Sequence, residues 1–170
     1  MGDVSDDPLV RVLRQVSDRQ ADVRVIVLVA NGLIELMVNT LIDHFCRHGK
    51  AITSDTRGYL YSTKLIILHE KSVLPDPLFE TLDRFRRLRN DAAHLPFFEV
   101  EQNCIRQIAE PMERHFPAKQ EGWTYPSESL GDFCAFLIHS LFSNFQGILL
   151  PIFAPTVHRA LAEEQQKGTS

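Results

Sequence analysis

The stretch VIVLVANGLIELMVNTLI, Val25 to Ile42, can be read in two ways. At ~1.5 Å of rise per residue it is long enough to cross a bilayer as a helix. Its polar residues argue otherwise. Asn31, Glu35, Asn39 and Asp43 recur every four positions, so on a helix they form one slowly drifting stripe while the other faces stay apolar. That pattern predicts the central helix of a soluble bundle and no membrane partner.

Working outward, the same helix is predicted to extend from about Pro8 to His48, with an interruption near Ser17. It should stop at Gly49, a residue suited to the left-handed position after a helix. ITSDTRG, Ile52 to Gly58, reads as a loop, and YLYSTKLIILHEK, Tyr59 to Lys71, as a second helix. A third begins with Asp76 as N-cap and Pro77 in the first turn, and ends near His94 because Pro96 biases Leu95 away from helical geometry. A fourth is predicted from about Glu99 towards Phe116, either tolerating Pro111 or bending at it. A fifth runs from near Ser127 through FCAFLIHSLFSNFQGILL, until Pro151 and Pro155 break the chain. No segment sustains period-two alternation. The expectation is an all-α, single-domain bundle of five to six helices over residues 1–155, with a polar tail over 156–170.

Composition agrees. The 170 residues are 44% apolar and 24% charged, with eight glycines and nine prolines, as in one ordinary globular domain. A formal net charge of −4 provides no global basic field for duplex DNA, and no short helix-turn-helix with a basic recognition helix is visible. Specific reading of duplex DNA is therefore not expected. Cys46, Cys104 and Cys134 are few, odd in number and far apart, which fits core thiols in a reducing compartment. With an acidic opening, MGDVSDDP, the expected location is the cytoplasm.

The chemistry concentrates in RFRRLRNDAAHLPFF, Arg84 to Phe98, which places Arg84, Arg86, Arg87 and Arg89 within six residues. At ~100° per residue, Leu78, Leu82, Phe85, Ala92 and Ala93 share one face, and Arg89 falls inside it. Arg84, Arg87 and Asp91 point away as solvated charges. Asn90 and His94 share a neighbouring face with Arg86. A guanidinium on an apolar stripe needs a partner, since burying an unpaired charge costs several kcal/mol. One solution is structural: Arg89 pairs with Glu35 of the first helix and His94 caps its own helix. The other is functional: Arg86, Arg89, Asn90, His94 and Glu35 converge in a groove that binds a phosphate or a protein carboxylate.

Other constellations are weaker. His44 and His48 lie one turn apart around Cys46, but Cys46 points to the other side of the helix, so no metal is expected. FSNFQGILLPIF, Phe142 to Phe153, has no interleaved basic residues and reads as core or homodimer interface. No phosphate-cradling glycine loop or Gly-x-Ser-x-Gly elbow is present, and no cofactor is expected.

The element Arg89-Asn90-x-x-x-His94 resembles the Arg-x4-6-His signature of HEPN domains, which are small helical proteins that often dimerise around it. The layout more widely resembles the mannitol-operon repressor (MtlR-like) family. The matching pieces are VSDRQADVRVIVLVANGLIELM, TSDTRGYLYSTKLIILHEKSVLPDPLFETLDRF and RRLRNDAAHLPF, spread over roughly Val16 to Phe98. This resemblance implies a non-enzymatic regulator that acts through protein partners. The ribonuclease branch of HEPN implies an alternative, metal-independent cleavage of RNA. There His94 would take the 2′-OH proton, Arg89 would stabilise charge on the attacked phosphate and Asn90 would position both. A homodimer would supply the second histidine.

Overall fold

The computed structural model describes residues 22–115 and 129–153. The expectations for Pro8 to Ala21, including the interruption near Ser17, lie outside the described residues, as do the connection after His115 and the tail over 156–170. Among the described residues every regular element is helical: α1 (Val23–Phe45), α2 (Gly49–Ser54), α3 (Tyr61–Glu70), α4 (Asp76–His94), α5 (Gln102–His115), α6 (Leu130–Asn144) and α7 (Gln146–Phe153). The chain is all-α, as its periodicity predicts.

Helix α1 is the hub, packing against α2, α3, α4 and α6. Asp22 caps it by accepting from the Arg24 amide at 2.8 Å. It is long and apolar enough to cross a membrane. Val27, Ala30, Ile34, Met37, Val38, Leu41 and Ile42 are nevertheless buried among the other helices. Along the polar stripe Asn31 is buried, Glu35 and Asn39 are half-buried and Asp43 is exposed.

Gly49 does not terminate this helix in a left-handed conformation. Helix α1 ends at Phe45, and Gly49 starts α2, whose last residues, Ile52 to Ser54, fall in the predicted loop. Its role is close approach: an added Cβ would sit 2.5 Å from both the Asp43 Cα and the Ile42 carbonyl oxygen. Helix α3 ends in a turn at Ser72, whose φ of 56° is the left-handed conformation usually reserved for glycine.

Helix α4 starts at Asp76 rather than being capped by it. The Asp76 carboxylate is engaged by His69 at 2.9 Å, and the His69 ring stacks on Phe79. Its buried face comprises Leu78, Thr81, Leu82, Phe85, Leu88 and Ala92. Ala93, expected in the core, is exposed, and Arg89 is half-buried. The buried arc is turned towards Leu88 because α5 covers that side with Ile105, Ile108, Ala109 and Met112.

Arg84 is also not merely solvated. Its guanidinium donates to the Gln107 carbonyl and pairs with Glu110 at 3.0 Å, docking α5 onto α4. Gln107 is the residue whose helical acceptor Pro111 leaves empty, because proline has no N–H. An arginine from the neighbouring helix takes the place of that missing donor, so Pro111 sits inside α5 without an orphaned carbonyl.

The predicted fifth helix is two. The chain bends by 105° at Phe145 between α6 and α7, and Pro151 lies within α7 instead of breaking it. These two additions, α2 and α7, raise the helix number above the five to six expected. All three cysteines are free, and burial pushes the Cys134 thiol far above its ordinary range.

Candidate functional site

Three elements and one loop form a cleft of about 280 Å3. Helix α1 contributes Asn31 and Glu35 from its polar stripe. The 55–60 loop contributes Thr56, Tyr59 and Leu60. Helix α3 brings Tyr61, Ser62 and Lys64 from its first turn, and α4 brings Arg86, Arg89 and Asn90. The loop is held by Asp55, whose Oδ1 accepts from the amides of Gly58 at 2.8 Å and Arg57 at 3.2 Å.

The charges lining the cleft are unevenly matched. Arg86 is neutralised by Asp83, which also receives Arg87 at 2.8 Å. Burial works against the Asp83 charge, but hydrogen bonds from Arg86 and Arg87 outweigh it and hold the carboxyl below its ordinary range. Arg89 has no such partner. Its Nη1 reaches only the Asn90 Oδ1 at 3.4 Å, and among the described residues no carboxylate lies within ion-pair distance of it. Lys64 is 2% exposed, and its Nζ donates to the neutral Asn39 Oδ1 at 2.9 Å. Glu35 lines the same cleft, yet forms no ion pair with either cation among the described residues.

Polar atoms are also left unsatisfied. The Asn31 Oδ1 and the Tyr61 hydroxyl are buried without a hydrogen-bond partner among the described residues, although both residues line the cleft. Burial, aided by the nearby Glu35 charge, pushes the Tyr61 phenol far above its usual range, so it remains an O–H donor. Helix α3 begins at this site with Leu60 as a cap that supplies no side-chain bond and no acid in its first turn. Its first helical bond runs from the Lys64 amide to the Leu60 carbonyl, which leaves the amides of Tyr61 and Ser62 ahead of the ladder.

Of the predicted site residues, Arg86, Arg89, Asn90 and Glu35 come together, while the expected Arg89–Glu35 ion pair is absent. The two side chains come from different helices that flank the cleft instead of closing it. His94 does not line the cleft. It is exposed at the last position of α4, where the chain turns away at Leu95. Arg24 fixes that exit, donating to the carbonyls of Leu95 at 2.7 Å and Pro96 at 3.1 Å while its guanidinium lies over the Phe98 ring. Phe97 beside it is 93% exposed.

Sequence reasoning passed over Tyr61 and Lys64 as site residues. A signal existed for Lys64, which falls on the α3 stripe of Tyr61, Leu65 and Leu68, a charged residue at a core position. No group of three metal-ligating side chains occurs among the described residues. Comparison of the chain with family models, with curated proteins and with solved structures returned no match.

Proposed function

We propose that this chain is a non-enzymatic, cytoplasmic regulator of the mannitol-repressor-like type, acting through a protein partner instead of a helix-turn-helix. The supporting observation is the separation of Arg89 from His94. The cleft offers a half-buried guanidinium without a carboxylate, together with Asn90 and Arg86, and contains no imidazole to move a proton. Such a cleft is equipped to hold an anionic group, and less so to break a phosphodiester. Homodimerisation belongs to the same reading, since α7 leaves Leu150 and Ile152 about half exposed.

A metal-independent ribonuclease is the second reading. One observation favours it: His94 is solvent-accessible at the end of the helix that carries Arg89 and Asn90, on a surface that a second copy could meet. The two readings separate by experiment. Purified protein should leave unstructured RNA intact in EDTA. A photocrosslinking residue at Leu60, on the cleft rim, should capture one discrete partner in cells, and Arg89→Ala should weaken that adduct. RNA cutting that His94→Ala abolishes, with 2′,3′-cyclic phosphate ends, would overturn the regulator in favour of the nuclease.

A further inference from the structure

We infer that the Arg89 cleft is a receptor for a small phosphomonoester carrying a hydrogen-bond donor of its own. The inference rests on the cleft being the binding site of the reading above, and names the group it binds. The chain places two cations, Lys64 and Arg89, against one 280 Å3 space without an ion-pair partner for either among the described residues. An ammonium that is 2% exposed and bonded to one neutral oxygen is a poor structural solution. With an anion between the two cations, their mutual repulsion becomes attraction to a shared centre.

The donor arrangement favours phosphate over carboxylate. Lys64, Arg89, Tyr61 and the uncapped first turn of the ten-residue α3 all border the cleft, so several donors are available to one ligand. A tetrahedral dianion has enough oxygens to serve them all, whereas a planar carboxylate has two. The remaining unsatisfied atom has the opposite polarity. Asn31 Oδ1, on a residue only 3% exposed, is an acceptor without a donor, and Glu35 adds another acceptor to the same wall. A hydroxyl or N–H next to the phosphate would satisfy them. The volume, near the lower end of ~300–1,000 Å3 ligand pockets, limits the ligand to a small one. A free metabolite and a phosphoserine on a partner share this chemistry.

Calorimetry on the full chain at constant ionic strength tests this, using glycerol 3-phosphate and a short phosphoserine peptide, with sulfate and the unphosphorylated peptide as controls. Saturable one-site binding of at least one phosphomonoester is expected. Arg89→Gln should weaken it by about 10-fold or more, and Lys64→Met likewise, while Arg47→Gln, outside the cleft, should leave it unchanged. Thermal unfolding checks that each variant is folded. Tighter binding of glycerol 3-phosphate assigns a metabolite, and tighter binding of the peptide assigns a modified partner. Failure of both phosphomonoesters to saturate by about 10 mM, sulfate binding as tightly as either, or undiminished binding in Arg89→Gln would overturn the inference. If those failures occur while the Arg89-dependent crosslink at Leu60 persists, the phosphomonoester is refuted and the partner-binding reading stands.

Discussion

Replacing Lys64 with methionine should make the folded protein more stable. The substitution keeps an unbranched stem of similar length in its packed position and removes the ammonium. That ammonium is 2% exposed and has one hydrogen bond, 2.9 Å to the Asn39 Oδ1. Effective penalties for burying an ion run to several kcal/mol, and one charge-assisted bond offsets about 1.5–3 kcal/mol. Asn39 is only half-buried, so its oxygen can turn to water once the lysine is gone. The balance is a gain of about 1–3 kcal/mol, or a Tm rise of roughly 3–9 °C for a chain of this size. Urea unfolding should show a higher midpoint with an unchanged slope. Adding whichever phosphomonoester binds the cleft should then stabilise the natural protein more than the variant, narrowing the gap between them. A loss of more than ~1 kcal/mol with unchanged slope would refute the reasoning, because Lys64 would then be a net structural asset.

Gly49→Ala should destabilise by about 2 kcal/mol or more, read by denaturant midpoint, because its Cβ would meet the α1 backbone at 2.5 Å and not a yielding side chain. Thr81→Val should stabilise by about 1 kcal/mol, since the Thr81 hydroxyl is fully buried with no partner among the described residues, and it lies away from the cleft. Asp83→Asn should cost about 1–2 kcal/mol at pH 7 by loosening Arg86 and Arg87. The Asp83 pKa is lowered on folding, so the unfolded chain takes up the proton first as pH falls. The carboxylate's contribution is therefore complete above its ordinary value near 3.8 and is lost as pH falls through the lowered one. The two proteins should converge in stability in acid, as followed by thermal melts across pH.

The long helices were legible because their signals are local. The four-residue stripe of α1, Pro77 in the first turn of α4 and Pro96 beyond its end all act within one or two turns. Helix α2 was not legible, since six residues carry little periodicity and its placement depends on Gly49 touching a neighbouring helix. Pro151 misled for a related reason. A proline forbids one hydrogen bond, and helices can supply or forgo that bond, as Pro111 does with Arg84. Within the site, Arg89 was identifiable as a cation misplaced on an apolar stripe. Its pairing with Glu35 was not decidable, because how α1 and α4 pack against each other is set by tertiary contacts far apart in the chain. His94 shares a helical face with Asn90, but the cleft ends at the level of Asn90.

Arg24 gives the molecule a clasp. It joins the start of α1 to the exit of α4 across 71 residues of chain, and every residue of the cleft lies within that ring. Closing a loop of this length costs about 4 kcal/mol in chain entropy, whereas the bonds from one exposed guanidinium return about 1–3 kcal/mol. The clasp is too weak to draw the ring shut. It fastens a ring that the packing of Ile34, Leu41, Leu65, Leu82 and Phe85 has already closed, so the cleft takes its shape from the hydrophobic interior behind it.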